Sequence, residues 1–491
     1  MARIREGLPL EKRGDKGERA EKQAEAIVGA AIASRGERER VESEEPREGK
    51  PAGMKLQLAL FSSLFLNAYF YFCLFLHHHQ PPPSLGWAGS AAAEAEAVAA
   101  IDCSGHGRAF LDGVLAGGGL PVCYDCSRLL HDCPADVDSG DPLFLEAYWQ
   151  QQAASSAVVV SGWHRMTYST NGKDYISIEL EKHIRILHQA VGNAVTDGKF
   201  IVFGSGSAQL INALVYALSP SNASSSPASV VASAPYYPFY KKQTNLFETR
   251  EYGWGGTTAT WANASVSSAT NVIEFVTSPN NPDGLFKQPV LGTSAVIFDY
   301  AYYWPHYSPI LDPADEDVML FTNSKISGHA GSRWAVIKDE GVYERTAKYL
   351  SLNTMGVSRD THLRVLKLIK RRREEKGTSS SSVLRAKARW SKLHELASSS
   401  SRFSLQHSAQ HRNYFERSET LLPYAWLKCE WKEDEDCHEA LRKGSIISRA
   451  GALFEADSRY TRLSLIKTQD DFDLFLKRMQ PLVSREEMAS S

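Results

Sequence analysis

Short apolar runs recur through the middle of this chain, and their lengths and spacing constrain the fold more than any other feature. The first is Ile201-Val202-Phe203, followed by an apolar-periodic segment that predicts a helix from residue 208 to about residue 218. Runs of this length, separated by loops and helices, predict an α/β fold with a mainly parallel central sheet. The other runs lie at residues 230–232, 272–276, 295–298, 318–321 and 334–337.

Reactive side chains stand at the ends of these predicted strands. Asp299 follows the run that ends at Phe298, and Lys325 closes the string Thr-Asn-Ser-Lys after the run that ends at Phe321. In open α/β sheets, ligands bind at the carboxyl edge of the strands. A lysine at that edge can hold an aldehyde cofactor as a Schiff base, so this edge is the candidate active site.

The groups around this lysine suit pyridoxal phosphate. Asp299 would pair with a protonated pyridine nitrogen, and Asn281 and Tyr302 would hydrogen-bond the phenolic oxygen of the ring. Arg333 would bind the phosphate with two N–H groups, beside a helix start that follows Gly-Ser-Gly-Ser at 204–207. Taken singly, these features also fit ordinary turns, but their order and close spacing together indicate the cofactor.

Two segments precede the folded part of the chain in this interpretation. Residues 1–53 mix Lys, Arg and Glu without an aromatic residue, so we expect a disordered charged extension. Residues 56–76 are uncharged, mostly apolar and long enough for a helix that spans a bilayer. Thirteen Lys and Arg residues precede this segment and the next is Arg108, so we expect a single-pass signal-anchor in the endoplasmic reticulum membrane with the catalytic domain in the lumen. A cleaved signal peptide and a secreted or vacuolar protein are the alternative.

Cysteine usage agrees with a lumenal domain. Four cysteines fall in a stretch poor in core residues and predict a disulfide module, with zinc at its C-x-x-C string as the alternative. A later pair would close a small loop, and two N-x-S sequons are candidate glycosylation sites. The disulfide candidates are Cys103, Cys123, Cys126, Cys133, Cys429 and Cys437, and the glycosylation candidates are Asn222 and Asn263.

Length and charge set broad limits. At 491 residues the chain is long enough for about three domains of ordinary size. Its formal net charge is −2, which gives no reason to expect nucleic acid as a partner. We expect no metal at the site.

Three strings resemble a known family. They are Ser-Pro-Asn-Asn-Pro-Asp-Gly at 278–284, Ala-Tyr-Tyr-Trp-Pro-His-Tyr at 301–307 and Ser-Lys-x-x-Gly-His-Ala-Gly-Ser-Arg at 324–333. Together they resemble the fold-type I pyridoxal-phosphate enzymes, and more narrowly the plant tryptophan aminotransferase-related and alliinase family, over about residues 103–482.

The resemblance implies a domain order and a set of roles. Lys325 would be the catalytic lysine, Arg462 would bind the substrate α-carboxylate, and a homodimer is implied because a second subunit completes the site in this fold type. The implied order is a linker at 77–100, an EGF-like cysteine module at 101–135, part of a small α/β domain at 136–200, a cofactor-binding large domain at 201–345 and the rest of the small domain at 346–491. The implied cofactor contacts are Tyr168, Ser207, Ala208, Asn281, Asp299, Tyr302, Thr322, Lys325 and Arg333.

The activity implied is transfer of the amino group of L-tryptophan to a 2-oxo acid, giving indole-3-pyruvate for auxin biosynthesis. An alliinase-type C–S lyase acting on S-alkyl-cysteine sulfoxides is the first alternative, and a catalytically silent binding protein is the second. Three features depart from the family pattern: four cysteines in place of six in the EGF-like module, Ala208 where relatives often carry Thr, and Arg333 directly before Trp334 where relatives have two residues between them.

Overall fold

The computed structural model describes residues 134–160, 175–221, 225–262, 271–292, 295–374, 378–406 and 422–489, with short helix and strand pieces between residues 89 and 123 and between 411 and 418. Several predicted features lie outside the described residues: the extension 1–53, the membrane segment 56–76, Tyr168, both sequons and the side chains of the four-cysteine module. Among the residues that are described, no helix is both long and apolar enough to cross a bilayer.

Seven strands form the central sheet, in the order β1-β7-β6-β5-β4-β2-β3. Neighbouring strands run parallel except β7, which is antiparallel to both β1 and β6. The mainly parallel sheet expected from the sequence is therefore confirmed. In chain order the strands are β1 (Phe200–Gly204), β2 (Ala228–Ala232), β3 (Tyr252–Thr257), β4 (Val272–Thr277), β5 (Ala295–Asp299), β6 (Val318–Thr322) and β7 (Arg333–Ile337).

Eight longer helices and the five-residue helix α4, which carries Lys325, accompany the sheets in the described part of the chain. They are α1 (Ile178–Val191), α2 (Gly206–Leu218), α3 (Phe239–Leu246), α4 (Asn323–Ser327), α5 (Glu340–Thr354), α6 (Arg359–Glu374), α7 (Thr378–Ser398), α8 (Cys437–Lys443) and α9 (Gln469–Ala489). Shorter helical pieces are Leu143–Leu145, Glu146–Gln151, Ala153–Ser156, Thr258–Ala262 and Gly451–Phe454.

Helices cover both faces of the central sheet, which explains why its inner strands are continuous apolar runs rather than alternating ones. On one face, Ile184 of α1 and Ile369 of α6 pack with Trp334 in one core cluster. On the other face, Leu214 of α2 and Leu350 of α5 pack in a second cluster. These two clusters include helices that lie before residue 201 and after residue 345, because helices distant in sequence are needed to bury each face of the sheet.

A second, antiparallel sheet lies in the C-terminal part of the chain, in the order β8-β9-β11-β10. Its core includes Leu393 of α7 and Phe475 of α9. Cys429 and Cys437 are joined by a disulfide at its border. The strands are β8 (Phe403–Leu405), β9 (Tyr424–Cys429), β10 (Arg449–Ala450) and β11 (Tyr460–Ser464), and two-residue pairs also join Ala135–Asp136 to Ile446–Ile447, Ala109–Phe110 to Val122–Cys123 and His411–Arg412 to Arg417–Ser418.

Candidate active site

Lys325 is placed by the turn between β6 and α4. Thr322 ends the strand and caps the helix, because its hydroxyl accepts a hydrogen bond from the Ser324 N–H at 3.1 Å. The same hydroxyl donates to the Ser332 carbonyl at 3.3 Å, which joins the lysine turn to the segment before Arg333. Lys325 Nζ donates to the Gly140 carbonyl, so the amine points toward the N-terminal part of the small domain.

Asp299 stands at the end of β5, where three donors surround its carboxylate. The Tyr240 hydroxyl donates to Oδ2 at 2.9 Å, and the Ala301 N–H donates to Oδ1 at 3.1 Å. Arg333 Nη1 lies 3.3 Å from Oδ2, and the two side chains are only 5% and 3% exposed. Burial raises the pKa of the Tyr240 hydroxyl well above its ordinary value, and the Asp299 charge raises it further. Tyr240 therefore keeps its proton and acts as a donor to the carboxylate.

Arg333 reaches the same edge by a different route from the other site residues. The sequence predicted that every site residue follows the carboxyl end of a strand, and for Arg333 that prediction was wrong. It is the first residue of β7 and lies opposite Gly204 and Thr322, the last residues of β1 and β6. Because β7 is antiparallel, its beginning lies at the carboxyl edge of its neighbours. Arg333 Nε is buried and has no hydrogen-bond partner among the described residues.

The start of α2 lies close to the segment before Arg333. The helix begins at Gly206, two residues earlier than predicted, so Ser207 and Ala208 are both in its first turn. Gly206 has φ +80°, and a Cβ built there would lie 3.9 Å from Gly331 Cα. The free N–H groups of a helix start and a buried guanidinium with an unused N–H are together suited to a phosphate. The side chain of Ser207 lies outside the described part of the structure.

Arg462 forms the opposite side of the site, on β11, and is 1% exposed. It donates from Nη1 to Asn281 Oδ1 at 2.8 Å and from Nη2 to the Asp138 carbonyl at 2.5 Å. Both acceptors are neutral oxygens. The carboxylate of Asp138 does not neutralise Arg462, since it is bound by Arg449 at 2.6 and 2.8 Å. Burial alone would raise the pKa of Asp138, but Arg449 lowers it below its ordinary value. Arg462 thus presents a buried positive charge suited to a carboxylate.

Two phenols connect these groups. The hydroxyls of Tyr302 and Tyr424 are 2.5 Å apart, and Lys325 Nζ lies 5.5 Å from the centroid of the Tyr302 ring. The Arg462 guanidinium lies over the Tyr424 ring, 4.0 Å from its centroid. Tyr302 was predicted from the sequence, whereas Tyr424 was not.

The structure brings most of the predicted residues to one edge of the central sheet, with Arg462 on the second sheet at the opposite side of the site. The arrangement fits pyridoxal phosphate, since an amine, a buried carboxylate and a guanidinium with an unsatisfied buried N–H surround that edge. The predicted residues found there are Lys325, Asn281, Asp299, Tyr302, Thr322, Arg333, Arg462 and the backbone of Ser207 and Ala208. The additional site residues are Asp138, Gly140, Tyr240, Tyr424 and Arg449, for which no local sequence pattern gave a signal.

Two family models match the chain. The model described as "Allinase" matches residues 135–483, and the one described as "Alliinase EGF-like domain" matches residues 86–133. Among the relatives, tryptophan aminotransferase-related protein 4 of Arabidopsis thaliana is 47% identical over 88% of this chain and 98% of its own length. Alliin lyase of Allium cepa var. aggregatum is 48% identical over 81% of this chain and 96% of its own length.

Solved structures show the same fold at low identity. A methionine aminotransferase of Escherichia coli aligns with a TM-score of 0.51 at 14% identity, over 72% of this chain and 95% of that one. An aspartate aminotransferase of Thermotoga maritima aligns with a TM-score of 0.51 at 16% identity, over 72% and 93%. The sheet, the edge carrying Lys325 and the two family matches agree with the resemblance predicted from the sequence, and the chain belongs to the alliinase and tryptophan aminotransferase-related family, with an EGF-like domain ahead of a fold-type I aminotransferase domain.

Proposed function

We propose that this protein is a pyridoxal-phosphate-dependent aminotransferase that acts on L-tryptophan with a 2-oxo acid as acceptor, giving indole-3-pyruvate. The observation that carries the proposal is that Lys325 and Arg462 both lie close to Tyr424, so an amine and a carboxylate-binding charge share one site. When bound, the cofactor supplies an electron sink for the carbanion of the amino acid.

Each residue around the cofactor site has a separate role in this reaction. Arg462 binds the α-carboxylate and so orients the Cα–H bond of the amino acid. Lys325 Nζ removes the proton from Cα, as a general base whose position is set by the Thr322-capped turn. Asp299, which accepts from Tyr240, Ala301 and Arg333, would hold the protonated ring nitrogen, and Arg333 with the first turn of α2 would hold the phosphate. Tyr302 and Asn281 would be the hydrogen-bond partners of the ring oxygen.

A cavity lined by aromatic side chains, one of which lies opposite Arg462 in the second sheet, supports the choice of a large substrate side chain. A cavity of about 1120 Å³ is lined by Trp390, Phe403, Trp426 and Tyr460 among others. Trp426 lies directly opposite Arg462 in the β9–β11 ladder, so their side chains project from the same face of the sheet. The rings of Trp426 and Tyr460 stack with centroids 5.5 Å apart. An amino acid held by its carboxylate on Arg462 would therefore meet an aromatic wall suited to indole.

A C–S lyase that acts on S-alkyl-cysteine sulfoxides is the second candidate. The 48% identity to an alliin lyase favours it, since that relative is as similar to this chain as the aminotransferase-related one. The two reactions begin with the same proton removal and differ in the bond that breaks next. The residues described above serve both.

One assay separates the candidates. The purified protein is offered L-tryptophan with pyruvate, and separately an S-alkyl-cysteine sulfoxide. Indole-3-pyruvate from the first mixture alone supports the aminotransferase, whereas pyruvate released from the second supports the lyase. Neither product, together with no visible absorbance from added pyridoxal phosphate, would identify a silent binding protein and contradict the proposal.

A homodimer is part of the proposal. Ile178 on α1 and Leu352 and Met355 at the end of α5 are 64%, 79% and 51% exposed, and a hydrogen bond of 2.8 Å between Tyr175 and Ser351 ties the two segments together. An exposed apolar patch of this kind suits a self-complementary interface. Light scattering on the wild type and on Leu352→Glu tests it, since we expect the charge to favour the monomer. A monomeric wild type contradicts the proposal.

We also propose that the catalytic domain faces the lumen of the endoplasmic reticulum from a membrane anchor at 56–76. The Cys429–Cys437 disulfide supports an oxidising compartment. The expected result is sugar at Asn222, Asn263 or both, with the domain protected from protease in sealed microsomes. Unglycosylated protein that is digested from the cytosolic side would reverse this orientation.

A further inference from the structure

The buried site around Lys325 contains more positive charge than the described carboxylates neutralise. Lys325 Nζ donates to a backbone carbonyl, and Arg462 donates to an amide and a backbone carbonyl. Arg449 is held by Asp138. In the described part of the chain, therefore, no carboxylate pairs with either Lys325 or Arg462. A buried cation without a counter-charge is costly, so a nearby acidic group gains by ionising.

Tyr424 is an acidic group that lies close to both of these charges. A Cβ built on Gly140 would lie 2.5 Å from the Tyr424 hydroxyl and 3.4 Å from Lys325 Nζ, so the phenol oxygen and the amine both border Gly140. The Arg462 guanidinium stacks on the Tyr424 ring at 4.0 Å. Tyr424 is also almost fully buried, so water does not screen these interactions.

Tyr302 completes the arrangement, because its hydroxyl lies 2.5 Å from the Tyr424 hydroxyl. Burial raises the pKa of Tyr302 well above its ordinary value, so Tyr302 keeps its proton. Burial alone would also raise the pKa of Tyr424, but Lys325, Arg462 and the hydrogen bond from Tyr302 bring it below its ordinary value. A phenol that donates to its neighbour favours the ionised form of that neighbour.

We propose that Tyr424 is a phenolate in the cofactor-free protein, and that it accepts the proton of the Lys325 ammonium when this amine attacks a carbonyl carbon. An N–H bond of Lys325 breaks, an O–H bond forms on Tyr424, and the nitrogen keeps the electron pair that it needs as a nucleophile. The inference deepens the proposed function, since it names the group that makes the catalytic lysine neutral.

Charged and titratable groups from several elements face this phenol. They are Lys325 on α4, Arg462 on β11, Arg449 on β10, Asp138 before the first helical turn of the small domain, Tyr237 before α3 and Tyr302 after β5. Three of these are cations, and the one carboxylate is already engaged by Arg449. The balance of charge at Tyr424 therefore favours the anion.

The first test is an ultraviolet difference titration of tyrosinate in protein freed of cofactor. We expect one tyrosine to ionise below the ordinary value of about 10, and Tyr424→Phe to remove that step while thermal unfolding shows a folded protein. Lys325→Met should move the step upward by at least about one pH unit, since an opposite charge at this range contributes that much. Tyr252→Phe removes a buried hydroxyl that bonds Asn212 in the large-domain core, and should leave the step in place.

The second test follows the amine itself. Cofactor-free protein is treated with a small aldehyde and a borohydride reductant, and modification of Lys325 is measured by mass spectrometry across neutral pH. Proton transfer within the pair makes the wild-type rate nearly independent of pH, whereas in Tyr424→Phe the proton must leave to solvent, so the rate should rise about tenfold per pH unit. Any of three results would overturn the inference. They are a wild type in which no tyrosine ionises below the ordinary pH, a Tyr424→Phe protein that keeps that ionisation step, and the same pH dependence of Lys325 modification in the two proteins. Neither test depends on cofactor binding or turnover, so a failure of the proposed function would appear separately in the tryptophan assay.

Discussion

Arg333 Nη1 lies 3.3 Å from Asp299 Oδ2, so the guanidinium assigned to the phosphate is paired with the carboxylate assigned to the ring nitrogen. Arg333 is the first residue of β7 and is followed directly by Trp334. Both residues pair in regular register with β1 and β6, so no unpaired residue lies between the turn and the strand. A cofactor whose ring nitrogen pairs with Asp299 would compete with Arg333 Nη1 for that carboxylate. The short link described from the sequence therefore has a local consequence, which is that Arg333 has an alternative partner inside the site.

We expect insertion of Ile-Gly between Arg333 and Trp334 to strengthen retention of pyridoxal phosphate. The added residues would let the guanidinium move from Asp299 toward the start of α2, where a shift of an ångström matters for a charged contact. Dialysis titration of the cofactor measures the effect on both proteins. Equal retention would mean that the short link is harmless.

Lys325→Ala should abolish turnover and the visible absorbance of bound cofactor while leaving the fold intact. The amine is both the covalent tether and the base, so its loss costs many orders of magnitude in rate. Among the described residues, the side chain loses its hydrogen bond to the Gly140 carbonyl and its position over the Tyr302 ring. A steady-state assay measures the loss of turnover, and circular dichroism shows whether the fold is intact. Retained activity would contradict the assignment of Lys325 to pyridoxal phosphate.

Arg462→Ala should raise KM for the amino acid and leave the colour of the bound cofactor almost unchanged. The partner assigned to Arg462 is the substrate carboxylate, and loss of a buried charged hydrogen bond costs on the order of 2–5 kcal/mol of binding. Arg462→Lys is the matched control, since it keeps the charge but not the forked geometry. A bleached protein would show that Arg462 has been assigned to the wrong group.

Trp426→Ala should lower kcat/KM for tryptophan more than for alanine. The indole would lose an aromatic surface beside Arg462, whereas a methyl side chain does not reach that surface. Stacked aromatic pairs are worth about 0.5–1.5 kcal/mol beyond their area, so we expect roughly a tenfold change in the ratio of the two substrates. An unchanged ratio would place the substrate side chain elsewhere.

Acid should destabilise the protein through His188. The ring is fully buried; Trp334 Nε1 donates to its Nε2 at 2.9 Å, and its Nδ1 lies 2.8 Å from Asn193 Oδ1. Burial lowers its pKa to about 4, and the bond with Asn193 offsets part of that effect. Between pH 6.5 and 4 the unfolded chain therefore binds a proton that the folded protein refuses, so stability falls as pH falls through this window.

We expect this loss to reach on the order of 3 kcal/mol by about pH 4. His306 and His329, whose pKa values burial lowers to about 3 and about 4, add to the loss in the wild type. His188→Gln removes one titration and leaves the other two, so urea unfolding at several pH values isolates its share. The same pH slope in both proteins would contradict the assignment.

The sequence predicts a site residue correctly where a reactive side chain closely follows an apolar run, as for Asp299 and Lys325. It did not find Tyr240 or Tyr424, because Tyr240 lies 59 residues from Asp299 and Tyr424 lies 122 residues from Tyr302. Contacts of that separation follow from tertiary packing, and no local pattern records them. The direction of β7 was also hidden, since a strand buried on both faces gives the same apolar run whether it runs parallel or antiparallel.

The side chains of the first two residues of β7 project from opposite faces of the sheet, so this strand contributes both to the site and to the core. Arg333 points into the catalytic cleft, while Trp334 points into the core, where the imidazole of His188 accepts its N–H. A change of volume at the imidazole would move the indole, and the peptide between the two residues would pass that shift to the guanidinium. Substitutions at His188, in the hydrophobic interior, can therefore change how well Arg333 is placed to bind a phosphate, although His188 itself lies outside the site.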